Sequence, residues 1–159
     1  MKKELLQEFA ARVTQANRSE LVVVIYEATL ASIAEGKQRL AEGQVEEART
    51  EIARARGMIT ELMGSLDLQY GISYYLRQLY IFAYQELCQG IAMRDAERFS
   101  HATDIIQKLL PAFREVADQD DSGPVMVNTE AIYAGLTYGK DSLNESVGVG
   151  VNMNRGFQA

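Results

Sequence analysis

Side chains able to do chemistry are scarce in this sequence. It has one cysteine, Cys88, and one histidine, His101, in 159 residues. A lone cysteine permits no internal disulfide and fits a reducing compartment. Cys88 lies between Leu87 and Ile91 on what reads as an apolar helix face, so a buried, inert thiol is expected there. One histidine and one cysteine cannot by themselves build a nitrogen/sulfur metal site. A di-iron bundle needs Glu-x-x-His on two helices, whereas the single histidine here follows Glu97 at the wrong spacing. There is no glycine-rich phosphate loop and no nucleophile elbow. No enzyme, catalytic residue or cofactor is therefore expected. No run approaches about eighteen apolar residues, the length of a membrane-spanning helix. Lys2 and Lys3 are followed by Glu4, Gln7 and Glu8, which interrupt any signal-peptide core. The expectation is a cytoplasmic protein. The net charge of −6 argues against nucleic acid as a partner.

The acid excess is not spread evenly. From Asp118 onward there are six acids (Asp118, Asp120, Asp121, Glu130, Asp141, Glu145) against Lys140 and Arg155, while the first 117 residues are close to balanced. Half of the twelve glycines also fall in this last quarter. The run from Asp118 to Pro124 (DQDDSGP) reads as a linker. Beyond it a short helix over 129–138 is conceivable, with Ile132 and Leu136 four apart and Gly135 weakening it. Residues 147–159 are expected to be disordered. The sequence thus divides into an amphipathic arm (1–16), a folded core (17–117) and an acidic, glycine-rich extension (118–159).

Within the core the apolar residues keep helical spacing. In the arm, Leu5, Phe9 and Val13 step by four, with Leu6 beside them; an amphipathic helix and a frayed terminus both fit. Asn17 and Glu20 form a capping-box signature for a helix running to Ala41. Its opening LVVVIY favours a strand by local preference, but Tyr26, Leu30, Ile33 and Leu40 extend the pattern at helical steps. Gly43 ends it. The next helix, about Gln44–Leu66, is the most regular, with Val45, Ala48, Ile52, Ala55, Ile59, Leu62 and Leu66 stepping by three and four. The charges between them (Glu46, Glu47, Arg49, Glu51, Arg54, Arg56) read as a solvated face. A third helix is expected over Ile72–Met93. Asp95 caps a fourth over Ala96–Ala117, kinked near Gln107–Pro111 by the proline. Short connections between these helices predict an all-α fold, an antiparallel up-down four-helix bundle with an N-terminal arm and a partly ordered C-terminal extension.

The stretch Met58–Tyr84 carries more apolar surface than one buried face can use. Ile72, Leu76, Leu79 and Ala83 make one stripe and Tyr80, Tyr84, Leu87 and Ile91 a second. Tyr74, Tyr75 and Phe82 fall outside the first, and Met58 and Met63 lie off the stripe of the preceding helix. Six of the thirteen aromatics lie between Tyr70 and Tyr84. Such a surplus marks a surface that binds another chain's apolar helices. Candidate contacts are Phe9, Met58, Leu62, Met63, Tyr70, Tyr74, Tyr75 and Phe82. Methionines repack around varied side chains, and tyrosines give large contact area with a polar edge.

Two competing readings come from other classes. The surplus could instead be a homodimer interface of a self-associating structural bundle. His101, at the edge of its helix stripe, could be the accepting residue of a histidine phosphotransfer domain. However, Asp104 stands where such domains carry a lysine, and its carboxylate would repel a phosphoryl group.

The segment NRSELVVVIYEATL (Asn17–Leu30), the run ELMGSLD (Glu61–Asp67) and Leu76-x-x-Leu79-Tyr80 resemble the FliS family of flagellar secretion chaperones. Glu20, Leu21, Tyr26 and Glu27 match its first motif, and Ile59, Glu61, Leu62, Ser65, Leu66 and Asp67 its second. The likeness covers about Thr14–Ala117. Arg18 stands where the family usually has a proline, and Phe9 is the nearest counterpart of a tyrosine usual in the arm. The resemblance implies a helical bundle in the cytosol that binds the disordered C-terminal segment of flagellin. It implies that this prevents premature polymerisation and assists delivery to the flagellar type III export gate. It also implies an N-terminal arm that covers or borders the binding surface.

Overall fold

Asn17 starts the longest helix as its side chain dictates. Its Oδ1 accepts from the Glu20 N–H at 2.8 Å, and the Glu20 carboxylate accepts from the Asn17 N–H at 2.9 Å. This reciprocal bond satisfies two donors that an uncapped helix leaves unpaired. In a computed structural model, which describes residues 1–126, five helices follow one another. They are α1 (Lys3–Gln15), α2 (Arg18–Ala41), α3 (Val45–Gly64), α4 (Gly71–Met93) and α5 (Ala96–Asp118). No strand occurs among the described residues. The possible helix at 129–138 and the stretch 147–159 lie outside them.

The helix ends follow local chemistry. Gly43 takes φ 77°, a conformation that costs glycine little, directly after α2. Asp95 caps α5 by accepting from the Glu97 N–H. Between α4 and α5 the chain reverses within two residues, and Arg94 is left-handed there (φ 56°). Pro111 lies on an exposed position inside α5, and the helix continues through it to Asp118.

The β-branched run Val22–Ile25 is helical because α2 has neighbours on several sides. It packs against α1, α3 and α5, so a helix that looks apolar nearly all round finds partners for most of its faces. α4 in turn packs against α3 and α5. The arrangement is compatible with a helical bundle around one core. Tyr26, Ile33, Ile52, Ile59, Leu62, Tyr80, Leu87, Phe99 and Ile106 are fully buried in it. Two helix pairs touch through glycine. At Gly90 a Cβ would lie 2.5 Å from Phe99 Cε1, and at Gly36 2.7 Å from Ile52 Cδ1.

At the centre, the hydroxyls of Tyr26 and Tyr80 bond to each other. Burial and this bond push the Tyr26 hydroxyl well above the usual phenol range, and burial raises Tyr80 also. The ring of Tyr26 also meets Phe113 edge-on, with centroids 5.1 Å apart. These contacts join α2, α4 and α5 at one level of the core.

The charged stretch of α3 is more than a solvated face. Glu51 is buried, bonded to the N-terminal ammonium of Met1 and to Arg54. Burial pushes its carboxyl up, but the two cations override this and hold it below the usual carboxylate range. Arg56 lies over the Tyr84 ring, 5.8 Å from its centroid, and donates to Cys88 Sγ at 3.2 Å. Cys88 is accordingly half-buried rather than sealed in the core. Charge at helical spacing reads as solvent-facing unless a distant part of the chain comes to meet it, and here Met1, ahead of α1, and α4 do.

Candidate partner-binding surface

Along α4, the core side is set by Ser73, Tyr80, Ala83, Leu87, Gly90 and Ile91, all buried. Ile72 and Leu79 do not join it. They are 65% and 38% exposed, and with Tyr75 (72%) and Phe82 (46%) they step by three, four and three. That spacing puts all four on one face of the helix. At 1.5 Å per residue the band is about 15 Å long, close to three turns. Each of the four takes the place in the pattern that a buried seam residue would have, yet each stands in solvent.

The next residue in this register is Glu86, which faces α5. Its carboxylate accepts from Arg98 Nη1 at 2.9 Å, and His101 Nδ1 lies 2.7 Å from its other oxygen. The band therefore runs along the α5 side of α4 and stops at this polar cluster. On α5, continuing from Arg98 and His101 in the same register, come Ile105, Leu109 and Val116. The first two are partly buried against the core and Val116 is 54% exposed. Together they extend the apolar strip beside α4.

The candidate contacts read from sequence fall in different places. Tyr75 and Phe82 are on the band. Tyr74 and Tyr70 are exposed but stand elsewhere. Tyr70 is the cap residue of α4 and Tyr74 lies round the helix toward its outer side. Met63 is half-buried and shares the side of α3 on which Arg56 meets Tyr84 and Cys88 of α4. Met58, also half-buried, shares the other side of α3 with Glu51, where Met1 docks. Leu62 is 2% exposed and belongs to the core, so it is not available as a surface contact. Phe9 is half-buried on α1, beneath Arg12, whose guanidinium lies 5.9 Å from the ring centroid. Ile72 and Leu79 were missed as surface residues because three- and four-residue steps cannot say which of two adjacent stripes faces inward. The 72–75–79–82 spacing was the available signal.

The arm is a helix seated on α2. Leu5, Phe9 and Val13 are half-buried while Leu6 is exposed, which makes the seat shallow. Near its end Arg12 pairs with Glu27, which also accepts from Arg114 of α5. A cleft of about 500 Å³ opens here between α1, α2 and α5, lined in part by Val23, Val24 and Ala117. Its central charges already pair with one another, and its lining comes from α1, α2 and α5 with no residue of α4. It is the place where α1 meets the bundle, and the apolar band is the stronger binding candidate.

Apart from Leu79, which lies on the band, the residues that carry the family resemblance build the fold rather than this surface. Glu20 caps α2, Tyr26 bonds Tyr80, and Glu27 ties three helices. Ser65 donates to the Leu62 carbonyl at 2.8 Å, and Asp67 accepts from the Gln69 N–H at 3.0 Å to shape the turn into α4. Among the described residues no helix is long and apolar enough to cross a membrane, and no three His, Cys, Asp or Glu side chains could hold a metal ion.

The class defined so far is, over the described residues, an all-helical domain that leaves an apolar band in solvent. The family model for the flagellar protein FliS matches residues 1–120, and the chain belongs to that family, one of flagellar export chaperones rather than enzymes. No curated protein matches the chain.

Proposed function

We propose that this protein is a cytoplasmic chaperone that holds the disordered C-terminal segment of flagellin, keeps it from polymerising early and assists its delivery to the flagellar type III export apparatus. The observation that carries this reading is the band Ile72–Tyr75–Leu79–Phe82, a helix-spaced apolar surface left in solvent. An amphipathic client helix laid along α4 and the neighbouring strip of α5 buries both faces at once. Tyr70, Tyr74 and Met63, round the start of α4, offer a continuation for a client that passes beyond one groove. Coupled folding and binding of this kind buries on the order of 1,000–3,000 Å² and loses roughly 2–5 kcal/mol to ordering. The net affinity is then reversible, as delivery requires.

The rigid support for this surface is an antiparallel up-down bundle. Lys37, near the end of α2, bonds Ser100, near the start of α5, while Glu27, near the start of α2, bonds Arg114 near the end of α5. Opposed directions along α2 and α5 fit both pairs. The arm on α2 stands apart from the α4 band, which favours a supporting role for it over competition for the client.

Co-purification of the chain with its own flagellin tests the reading. Full-length flagellin is expected to be retained, and flagellin lacking its C-terminal segment to be lost. Equal retention of both would overturn the assignment of the client segment.

A further inference from the structure

On the side of α4 away from the apolar band, α3 and α4 meet along a groove marked by Arg56. Its guanidinium lies over the Tyr84 ring, and its Nη1 donates to Cys88 Sγ at 3.2 Å. A thiol sulfur is a weak acceptor. The buried Nε of Arg56 has no hydrogen-bond partner. Among the described residues Arg56 is the only half-buried cation that meets no oxygen acceptor. Arg12, Arg39, Arg54 and Arg98 all pair with carboxylates.

Two more guanidiniums line up with it. Arg49 precedes Arg56 by two turns of α3, and Arg77 precedes Tyr84 by two turns of α4, so each falls on the groove side of its helix. Each step is about 10 Å along the axis. Both side chains are exposed. Among the described residues Arg77 has no ion pair, and Arg49 reaches only the exposed Glu46, at 3.9 Å. The other acids of these helices turn elsewhere. Glu47, Glu51 and Glu61 stand roughly 140° or more round α3 from Arg56. The single acid of α4, Glu86, is taken by Arg98 and His101 of α5. The groove is therefore a cationic strip on a chain of net charge −6. Ile81 and Tyr84, both half-buried, give it a partly apolar floor.

We propose that this groove is a second docking surface, and that its occupant is an acidic amphipathic helix of another protein with carboxylates two turns apart. Residues seven apart on such a helix share a face and lie about 10 Å from each other, which matches the spacing of the strip. A carboxylate can accept two parallel N–H groups from a guanidinium, a stronger partner than the thiol. Apolar side chains between the carboxylates cover Ile81 and Tyr84. Nucleic acids and anionic membranes are extended polyanions, and they meet the negative field of the whole chain as well as the strip. A short helix answers mainly to charges within about 10 Å. Arg77 is two residues from both Tyr75 and Leu79, roughly 160° round α4 from each. Band and strip thus face opposite ways, and one can be occupied while the other is filled.

The test is fluorescence anisotropy on the full chain with a labelled synthetic helix of about twenty residues. The probe carries glutamates at seven-residue steps with leucines beside them, and its control carries glutamines in their place. The glutamate peptide is expected to bind at least about tenfold more tightly than the control, and less tightly at high salt. Arg49→Glu and Arg77→Glu, both on exposed positions, are each expected to weaken it about three- to tenfold with an unchanged thermal melt. Phe82→Glu, on the band, is expected to leave peptide binding as it is. Absent binding, equal binding of the two peptides, or full binding by both arginine variants overturns the proposal. So does a loss on Phe82→Glu that matches the arginine variants. Tighter capture of phosphatidylserine vesicles or of a single-stranded oligonucleotide than of the peptide would assign the strip to a different class of partner and overturn it as well.

Discussion

Arg114 of α5 donates through Nη2 to Glu27 Oε1 of α2 at 2.9 Å, and the other oxygen of the same carboxylate accepts from Arg12 of α1. One side chain thus joins the arm, the first bundle helix and the last. Burial pushes the Glu27 carboxyl up, and the guanidiniums of Arg114 and Arg12 override this and hold it below the ordinary carboxylate range. A lowered folded value means that the stabilisation is present at neutral pH and is lost as pH falls through that value. Both arginines are well exposed, so solvent screening keeps the contribution small. Glu27→Gln is expected to cost about 0.5–1 kcal/mol at pH 7 and low salt. The difference from the unaltered chain should shrink below about pH 4 and at high ionic strength. Thermal melts across pH and salt measure this, and a constant difference would argue against the ion pairs as its source.

Tyr75→Glu and Phe82→Glu place a charge on the exposed band without touching the core. Each should leave stability within about 0.5 kcal/mol, as for other surface changes, while weakening flagellin capture about tenfold or more. Circular dichroism melts and a flagellin pull-down separate the two effects. Full binding by both variants would remove the band from the client surface.

Leu62→Ala should do the reverse. The side chain is 2% exposed, so truncation leaves a cavity and costs about 2–5 kcal/mol. Flagellin affinity per folded molecule should be unchanged. Denaturant unfolding followed by a titration below the melting range distinguishes this from a direct contact.

The glycines of two helices make an internal control. At Gly90 a Cβ would sit 2.5 and 2.7 Å from the ring of the buried Phe99 and 3.1 Å from the Asp95 carbonyl, so Gly90→Ala is expected to cost about 1–3 kcal/mol. At Gly57, on an exposed part of α3, nothing lies within 4 Å. Gly57→Ala should therefore stabilise by about 0.5–1 kcal/mol through helix propensity alone. Opposite shifts in melting temperature are the expected result.

Much of this molecule was legible in its residues. Asn17 with Glu20, Gly43 and Asp95 each mark a helix end by a mechanism confined to a few neighbouring atoms, and each does so in the structure. The seam Ala48–Ile52–Ala55–Ile59–Leu62 is buried throughout because a single regular stripe leaves no choice of face. α4 offered two stripes, and its neighbours rather than its own spacing decided that Tyr80 and Leu87 turn inward while Ile72 and Leu79 stay outside. Glu51 and Arg56 were misread for the same reason. Their partners, Met1 and the Cys88–Tyr84 pair, are far away in sequence. Local rules find ends and stripes; only the packed neighbours settle which side is dry.

Among the described residues, the hydroxyls of Tyr26 and Tyr80 have no partner in the core but each other. Swapping either ring for phenylalanine strands the remaining oxygen in a dry interior, whereas swapping both leaves no orphan. Descendants of a common ancestor should consequently keep the two tyrosines together or shed them together, so that genealogies of such chains would show paired losses at these positions and almost no lone ones.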